Sequence, residues 1–398
     1  MTDDVLVVAG EFFAGIGLAR AGLERGGFSV TWSNDISAKK KGLFEGHWGL
    51  GDGHEYRLAD VSTLGAQDVP ERLDLAWASF PCTDLSLAGT RGGLHSGASS
   101  TFWSFVKILS RMRENRPKTL AIENVSGFAS SRQGRDLSGA IRALNGLGYS
   151  VDALQIDARR FVPQSRPRLF LIAEQQPAQD AAEPSSLRPS WLEQVMSDKG
   201  LRTHRAHLPP VPELLNEGFT RVSQDIPSDD PMWWGHEKTN AFFRSLSALQ
   251  SYRLYQLSLK NNLTRRTAFR RMRGGVPRWE VRSDDIAGCL RTSSGGSSRQ
   301  AVVEVGSGQT RIRWMTPREY AILMGVPDFS LGDARANDVY SGFGDAVCAP
   351  VVEWLALNYL MPSCLRQGAV LPSRPVVDLV PVESPLLSSV PAALAAVM

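Results

Sequence analysis

The stretch Ala78-Ser79-Phe80-Pro81-Cys82-Thr83-Asp84-Leu85-Ser86 sets a thiol directly after a proline, where a strand-like run gives way to a loop rich in glycine and serine. Strand ends are where α/β enzymes keep their reactive groups. A free thiol with a pKa of ~8.5 is only slightly ionised at neutral pH, yet it is intrinsically nucleophilic. No histidine stands close to Cys82 in the sequence, which gives a Cys-His protease arrangement little support. A second run, Ile122-Glu123-Asn124-Val125, ends an apolar strand with an acid. A carboxyl held in a pocket stays protonated at neutral pH and can donate a hydrogen bond or act as a general acid. A third run, Gln164-Ser165-Arg166-Pro167-Arg168, has i, i+2, i+4 spacing that puts Gln164, Arg166 and Arg168 on one face of an extended segment. Two such arginines suit a polarised carbonyl oxygen and a phosphate. Taken singly, each run also reads as an inert core thiol, a surface carboxylate or a pair of solvated arginines.

Phe13-Ala14-Gly15-Ile16-Gly17 places two glycines after a strand and before a helix, where a tight turn lets a ligand approach the backbone. Alone, this turn serves packing as readily as binding. The next strand ends in Asn34-Asp35, an acid placed for ribose hydroxyls, and Asp60 follows the strand after it, near an adenine edge. The turn lacks the full G-x-G-x-x-G, which disfavours a dinucleotide and favours another nucleoside cofactor.

These residues need a scaffold, and the first ~175 residues alternate strand-like with helix-like runs. Strands lie in DVLVVAGEFF, FSVTWSND, LDLAWASFP, TLAIENV and RLFLIAE, and helices in GLARAGLERGG, TFWSFVKILSRMRENRP and DLSGAIRALNGLGY. The alternation predicts an α/β fold with a doubly wound, mostly parallel sheet of Rossmann-like type. Residues 176–190 are rich in Pro, Ala and Ser and mark a boundary, beyond which periodicity is poor to about Gln309. A helix returns at TPREYAILMGVPD, with Thr316 as N-cap and Pro317 in its first turn, and DAVCAPVVEWLALNYLM reads as a final amphipathic helix. The expected division is 1–185 catalytic, 186–310 a second, irregular recognition domain, 311–362 a closing segment that returns to the first domain, and 363–398 a disordered tail.

At 398 residues, with 42% hydrophobic and 21% charged residues, the chain has the make-up of an ordinary globular protein with room for more than one domain. There is no run of 18 or more apolar residues, and the N-terminus is acidic rather than basic, so neither a membrane span nor a secretory signal is expected. A cytoplasmic location follows as the expectation. Cys82, Cys289, Cys348 and Cys364 form no CxxC pair, which disfavours a disulfide framework or a zinc site, and no metal is expected. His204 and His207 read as solvated loop residues. A net charge of +3 leaves nucleic-acid affinity to local clustering.

In this order over roughly residues 11–358, the motifs resemble those of the C5-cytosine DNA methyltransferase family, of restriction-modification type. FAGIG looks like its cofactor motif, PC within SFPCTDLSLAG like its nucleophile motif, ENV like its acid motif, and QSRPR like its Gln-x-Arg-x-Arg motif. RIRWMTPREYAILMGVPD and GFGDAVCAPVV are similar to its later arginine-bearing and closing motifs. The resemblance implies S-adenosyl-L-methionine as cofactor, with Phe13, Ala14, Gly15, Gly17, Asp35, Ile36, Asp60, Pro81, Asp345 and Val347 around it. Cys82 would attack C6 of cytosine while Glu123 protonates N3, Arg168 holds O2 and Arg166 fixes the site. The methyl then enters at C5, and loss of the C5 proton with elimination of Cys82 restores aromaticity. Attack on a paired base requires flipping it out of the duplex, at a cost of a few kcal/mol.

The resemblance also implies double-stranded DNA as partner. Ser86 and Arg91 are candidate phosphate contacts in the loop behind Cys82. TRRTAFRRMRGGVPRWEVR, residues 264–282, concentrates Arg265, Arg266, Arg270, Arg271, Arg273, Arg278 and Arg282, and CLRTSSGGSSRQ adds Arg291, Thr292 and Arg299. A cognate restriction endonuclease, host protection and a monomeric state complete the expectation. Rival readings are a tRNA cytosine methyltransferase, a catalytically silent DNA-binding relative and, last, a dinucleotide oxidoreductase. Three departures from the family pattern stand out: Asp345 for the usual Asn, Leu18 for a common Gly, and Glu11 for a frequent Asp. A carboxylate at 345 would either favour the cationic sulfonium or signal altered cofactor geometry.

Overall fold

A computed structural model describes residues 7–49, 51, 53–81, 94, 97–180, 185–292 and 299–370. Cys82, Ser86 and Arg91 lie outside these residues, as do 293–298 and 371–398.

The first half of the chain forms a seven-stranded sheet: β1 (Val8–Phe12), β2 (Ser29–Asp35), β3 (Glu55–Leu58), β4 (Leu75–Ala78), β5 (Thr119–Val125), β6 (Ser150–Asp157) and β7 (Pro167–Glu174). Its order is β3-β2-β1-β4-β5-β7-β6. The pairs from β3 to β5 are parallel, while β7 runs antiparallel to both β5 and β6. Strands β4 to β7 are almost wholly buried, as expected of near-continuous apolar runs covered on both faces. Helices α1 (Leu18–Arg25), α2 (Ala38–Trp48) and α3 (Thr101–Met112) follow β1, β2 and β4. Two hydrophobic clusters fill the sides of the sheet; one joins α1 to the later helices, and the other gathers Phe102, Phe105, Ile108, Leu137 and Ile141.

The region expected to be irregular contains a regular four-stranded antiparallel sheet, β11-β10-β8-β9, built from β8 (Thr264–Arg273), β9 (Val276–Val281), β10 (Ala301–Gly306) and β11 (Gln309–Trp314). Its own small core contains Phe242, Leu246, Ala268, Ala301, Val303 and Ile312. Arginines fill strand positions that apolar residues usually mark, so the period-2 pattern of β8 is hidden. Arg265, for example, is buried against Glu304 at 2.9 Å. Gly274 and Gly275 (φ 57° and 78°) close the β8–β9 hairpin in the left-handed region favoured by two-residue hairpin turns.

The chain then returns to the large sheet. Thr316 caps the helix Pro317–Leu323 by accepting from Glu319 N at 3.1 Å, while Glu319 reaches back to Thr316 N at 2.8 Å. The closing helix expected from 345 onward in fact begins only at Ala349. The helix Ala336–Asp345 stops at Asp345, and a new one, Ala349–Leu355, starts after Cys348 with a proline in its first turn. Order also runs past the expected boundary at 362. The helix Met361–Arg366 buries Ser363 and Cys364, and Gln367 Nε2 donates to Thr119 Oγ1 at 2.9 Å. His204 is not solvated: residues 203–204 lie along β6, and the buried imidazole sits 3.1 Å from Ser150 Oγ and 3.0 Å from Tyr359 OH. His207 is exposed.

Candidate functional site

The carboxyl ends of β1, β2, β4 and β5 face one side of the sheet, where ligands bind in open α/β folds. At β1 the chain turns through Phe13, Gly15 and Gly17, all with positive φ (59°, 58° and 80°). Asp35 holds this turn, accepting from Gly15 N at 3.0 Å and Ser37 N at 2.8 Å. Tyr56 OH donates to Gly15 O at 2.9 Å, and Ala14 N donates to Asn34 O at 2.8 Å. The two glycines then differ. A Cβ on Gly17 would stand 2.5 Å from Trp48 Nε1, so packing dictates that residue. Among the described residues, a Cβ on Gly15 would meet nothing nearer than the Lys40 stem, at 3.8 Å. Ile36 is 66% exposed at the lip. Asp60 caps the turn after β3 by accepting from Ser62 N at 2.8 Å. Asp345 forms an ion pair with Lys40 at 2.8 Å. Val347 is buried in the core and presents no side chain to the lip. Glu11, at the end of β1, is buried, and its Oε2 has no hydrogen-bond partner among the described residues. Burial outweighs the opposing Arg20 charge and pushes the Glu11 carboxyl up to about 8.

Around β5 the reactive groups converge. Glu123 is buried, and Arg168 Nε lies 3.1 Å from its Oε1. Burial raises the Glu123 pKa above its ordinary value, although Arg168, Arg166 and a Ser79 hydrogen bond oppose it. Asn124 Nδ2 donates to Phe80 O at 3.0 Å, tying the end of β5 to the segment that leads through Pro81 to Cys82. Gln164, Arg166 and Arg168 all reach the segment Cys289–Leu290, so the shared side read from their spacing is present. Arg166 itself is buried and faces no open space. Its guanidinium donates to Leu290 O (2.7 Å), Gly344 O (2.9 Å) and Ala346 O (2.6 Å), which makes it a joint between three segments rather than a group presented to a substrate.

Cys289 is the residue that sequence reasoning missed. Its Sγ is 3.3 Å from Arg166 Nη1 and 3.9 Å from Arg168 Nη2. Burial alone would raise its thiol pKa, but Arg166, Arg168 and Arg291 together bring it below the usual value. Only the fold brings it to arginines more than a hundred residues earlier in the chain.

A family model described as C-5 cytosine-specific DNA methylase matches residues 8–360. The chain belongs to that family. It is a DNA (cytosine-5-)-methyltransferase. The methylase is 23% identical over 360 residues to the type II methyltransferase M.HpaII of Haemophilus parainfluenzae, covering 86% of each chain. It is 24% identical over 353 residues to M.HhaI of Haemophilus parahaemolyticus, covering 87% of this chain and 92% of that one. In fold it is similar to the Dnmt2 methyltransferase of S. pombe, with a TM-score of 0.56 at 17% identity, covering 89% of this chain and 98% of that one. A putative DNA modification methyltransferase from an E. coli prophage gives a TM-score of 0.52, also at 17% identity, covering 90% of this chain and 99% of that one.

In the methylase the arginine-rich run does not form one surface. Arg265, Arg266 and Arg282 pair with Glu304, Asp285 and Asp284. Strand alternation then places Arg270 on the face of Trp279, while Arg271 and Arg273 share Glu280 on the other face and are 55% and 59% exposed. Arg291 is exposed beside the site, and its carbonyl carbon would stand 2.4 Å from a Cβ on Gly344, so the 291–292 backbone requires glycine there. Thr292 is half-buried. Arg299 donates to Tyr340 OH at 2.7 Å and stacks on that ring at 4.4 Å. Among the described residues, no helix is long and apolar enough to cross a membrane.

Proposed function

We propose that this methylase transfers a methyl group from S-adenosylmethionine to C5 of a cytosine flipped out of duplex DNA. We also propose that it does so within one short sequence, as the protective half of a restriction-modification pair. The observation that carries this reading is the buried Glu123–Arg168 pair at the carboxyl end of β5, tied by Asn124 to the segment preceding Cys82.

The cofactor reading fits the described residues: an open approach over Gly15, an exposed apolar Ile36, and a Glu11 oxygen without a partner among them. Gly15, Asp35, Ile36 and Asp60 would hold it, and when bound it supplies an electrophilic methyl group. Cys82 adds to C6 of the cytosine. Glu123, whose raised pKa favours the protonated carboxyl, donates to N3, so negative charge does not accumulate on the ring. Arg168 stands beside it as a donor for O2, and Arg166 holds the frame. Once C5 is methylated, its proton leaves and Cys82 is expelled, regenerating the thiolate. Residues 186–310, with Arg270, Arg271, Arg273, Arg291, Thr292 and Arg299, form the proposed DNA-reading region. A cytoplasmic monomer acting with a partner endonuclease completes the proposal.

The test is transfer of labelled methyl to duplex DNA and to tRNA by wild type and Cys82→Ala in parallel. C5-methylcytosine in one short DNA sequence, lost in the variant, is the expected result. Label in tRNA alone would move the substrate to RNA, and undiminished transfer by the variant would remove Cys82 as nucleophile.

A further inference from the structure

Asp345 stands where the family usually carries asparagine, and its partner explains how a carboxylate is tolerated there. Lys40 Nζ lies 2.8 Å from Asp345 Oδ2. The stem of the same lysine is what a Cβ on Gly15 would meet, at 3.8 Å. Lys40 therefore runs from the open side of the β1 turn to the end of the helix Ala336–Asp345. Burial disfavours its charge, but Asp345 and Asp35 more than offset this and hold its pKa above the ordinary lysine value. A second ion pair, Lys39 to Asp338 at 3.1 Å, already ties α2 to the same helix. The inner pair is thus not needed merely to join these elements. Asp345 also remains 48% exposed, so its carboxylate can take a further partner.

The two sides of the turn point the same way. Beneath Gly17 the space is filled by Trp48 and Phe44, while above Gly15 the described residues leave it open. A ligand admitted over Gly15 meets a cation and an anion held side by side. Such a pair is complementary to a zwitterion laid against it in the opposite order, because each charge gains a partner and none is left alone.

We propose that Lys40 and Asp345 form a paired-charge clamp for the amino-acid end of the cofactor, Lys40 taking the α-carboxylate and Asp345 the α-ammonium. The assignment rests on the S-adenosylmethionine reading above.

Calorimetric binding to the full chain tests it with three ligands: S-adenosylhomocysteine, which has both charges; decarboxylated S-adenosylmethionine, which keeps the amine; and 5′-methylthioadenosine, which has neither. Lys40→Met should weaken S-adenosylhomocysteine on the order of tenfold and leave the other two within about twofold. Asp345→Asn should weaken both amine-bearing ligands and spare 5′-methylthioadenosine. Equal weakening of all three by Lys40→Met would assign the lysine to support of the turn and overturn the clamp, as would no change in any. If wild type binds none of the three, the S-adenosyl reading itself fails and the clamp with it. Should Lys40→Met not fold, Lys40→Gln makes the same comparison with a polar stem.

Discussion

Arg168 Nε sits 3.1 Å from Glu123 Oε1 because β7 runs against β5. Arg168 lies opposite Val125 in that register, so the start of β7 meets the end of β5 and the arginine reaches diagonally to the carboxylate two residues back. A fully parallel sheet would put the two residues at opposite ends.

Glu123→Gln should lower kcat/KM by about a hundredfold or more, because an amide cannot deliver a proton to N3. The pH–rate profile is the sharper measurement. Burial raises the Glu123 pKa, so its protonated form persists to higher pH than that of a free carboxyl, and wild-type activity should fall as pH rises through that raised value. The variant should lack this limb. A profile of the same shape in both proteins would take Glu123 out of proton transfer.

Arg166→Ala removes a guanidinium donating to three carbonyls, of which Leu290 O keeps only the weak Cys289 thiol donor at 3.5 Å, and should cost about 3 kcal/mol of stability. Arg166→Lys keeps the charge but not the planar fork and should recover only part. Urea denaturation midpoints measure both, and a wild-type midpoint for the alanine variant would contradict the joint.

Glu11 gives stability a pH dependence. Its folded pKa of about 8 lies above the ordinary 4.5, so the folded state binds the extra proton. The contribution is complete below the unfolded value and is lost as pH rises towards 8, with an upper bound of about 1.4 kcal/mol per pH unit. Glu11→Gln should therefore flatten the fall in melting temperature between pH 5 and 8. Parallel curves would place the titration elsewhere.

Replacing both Arg271 and Arg273 with glutamine should weaken DNA binding and make its salt dependence shallower by up to about two counterions. Arg265→Gln should instead act through stability, since Arg265 is buried between Glu304 and Asp225. Log affinity against log salt, read beside the melting temperature, separates the two. An unchanged slope in the double variant would move the phosphate surface off this hairpin.

Much of the fold was legible along the chain. Apolar runs alternating with helical periods marked β1, β2, β4, β5 and β7, and Thr316 with Pro317 announced the helix they cap, whereas β3 was read only as a strand before Asp60 and β6 was not read. The β8–β9 hairpin was not legible as strands. Its alternation is carried by arginines whose burial depends on carboxylates such as Glu304, and a residue-by-residue pattern does not register partners that distant. The same blindness made His204 look solvated and set the start of the closing helix at Asp345, which instead ends the helix before it.

The division at the site has one physical cause. Residue type and local spacing are properties of the sequence, so the acid at the end of β5, the glycine turn and the Gln-x-Arg-x-Arg spacing could be read from it directly. Charge, protonation and role depend on distance and burial, and these are set only when remote segments pack. Packing made Arg166 a buried joint, gave Gly17 to Trp48 and Gly15 to open space, set Cys289 against two arginines, and supplied Asp345 with Lys40.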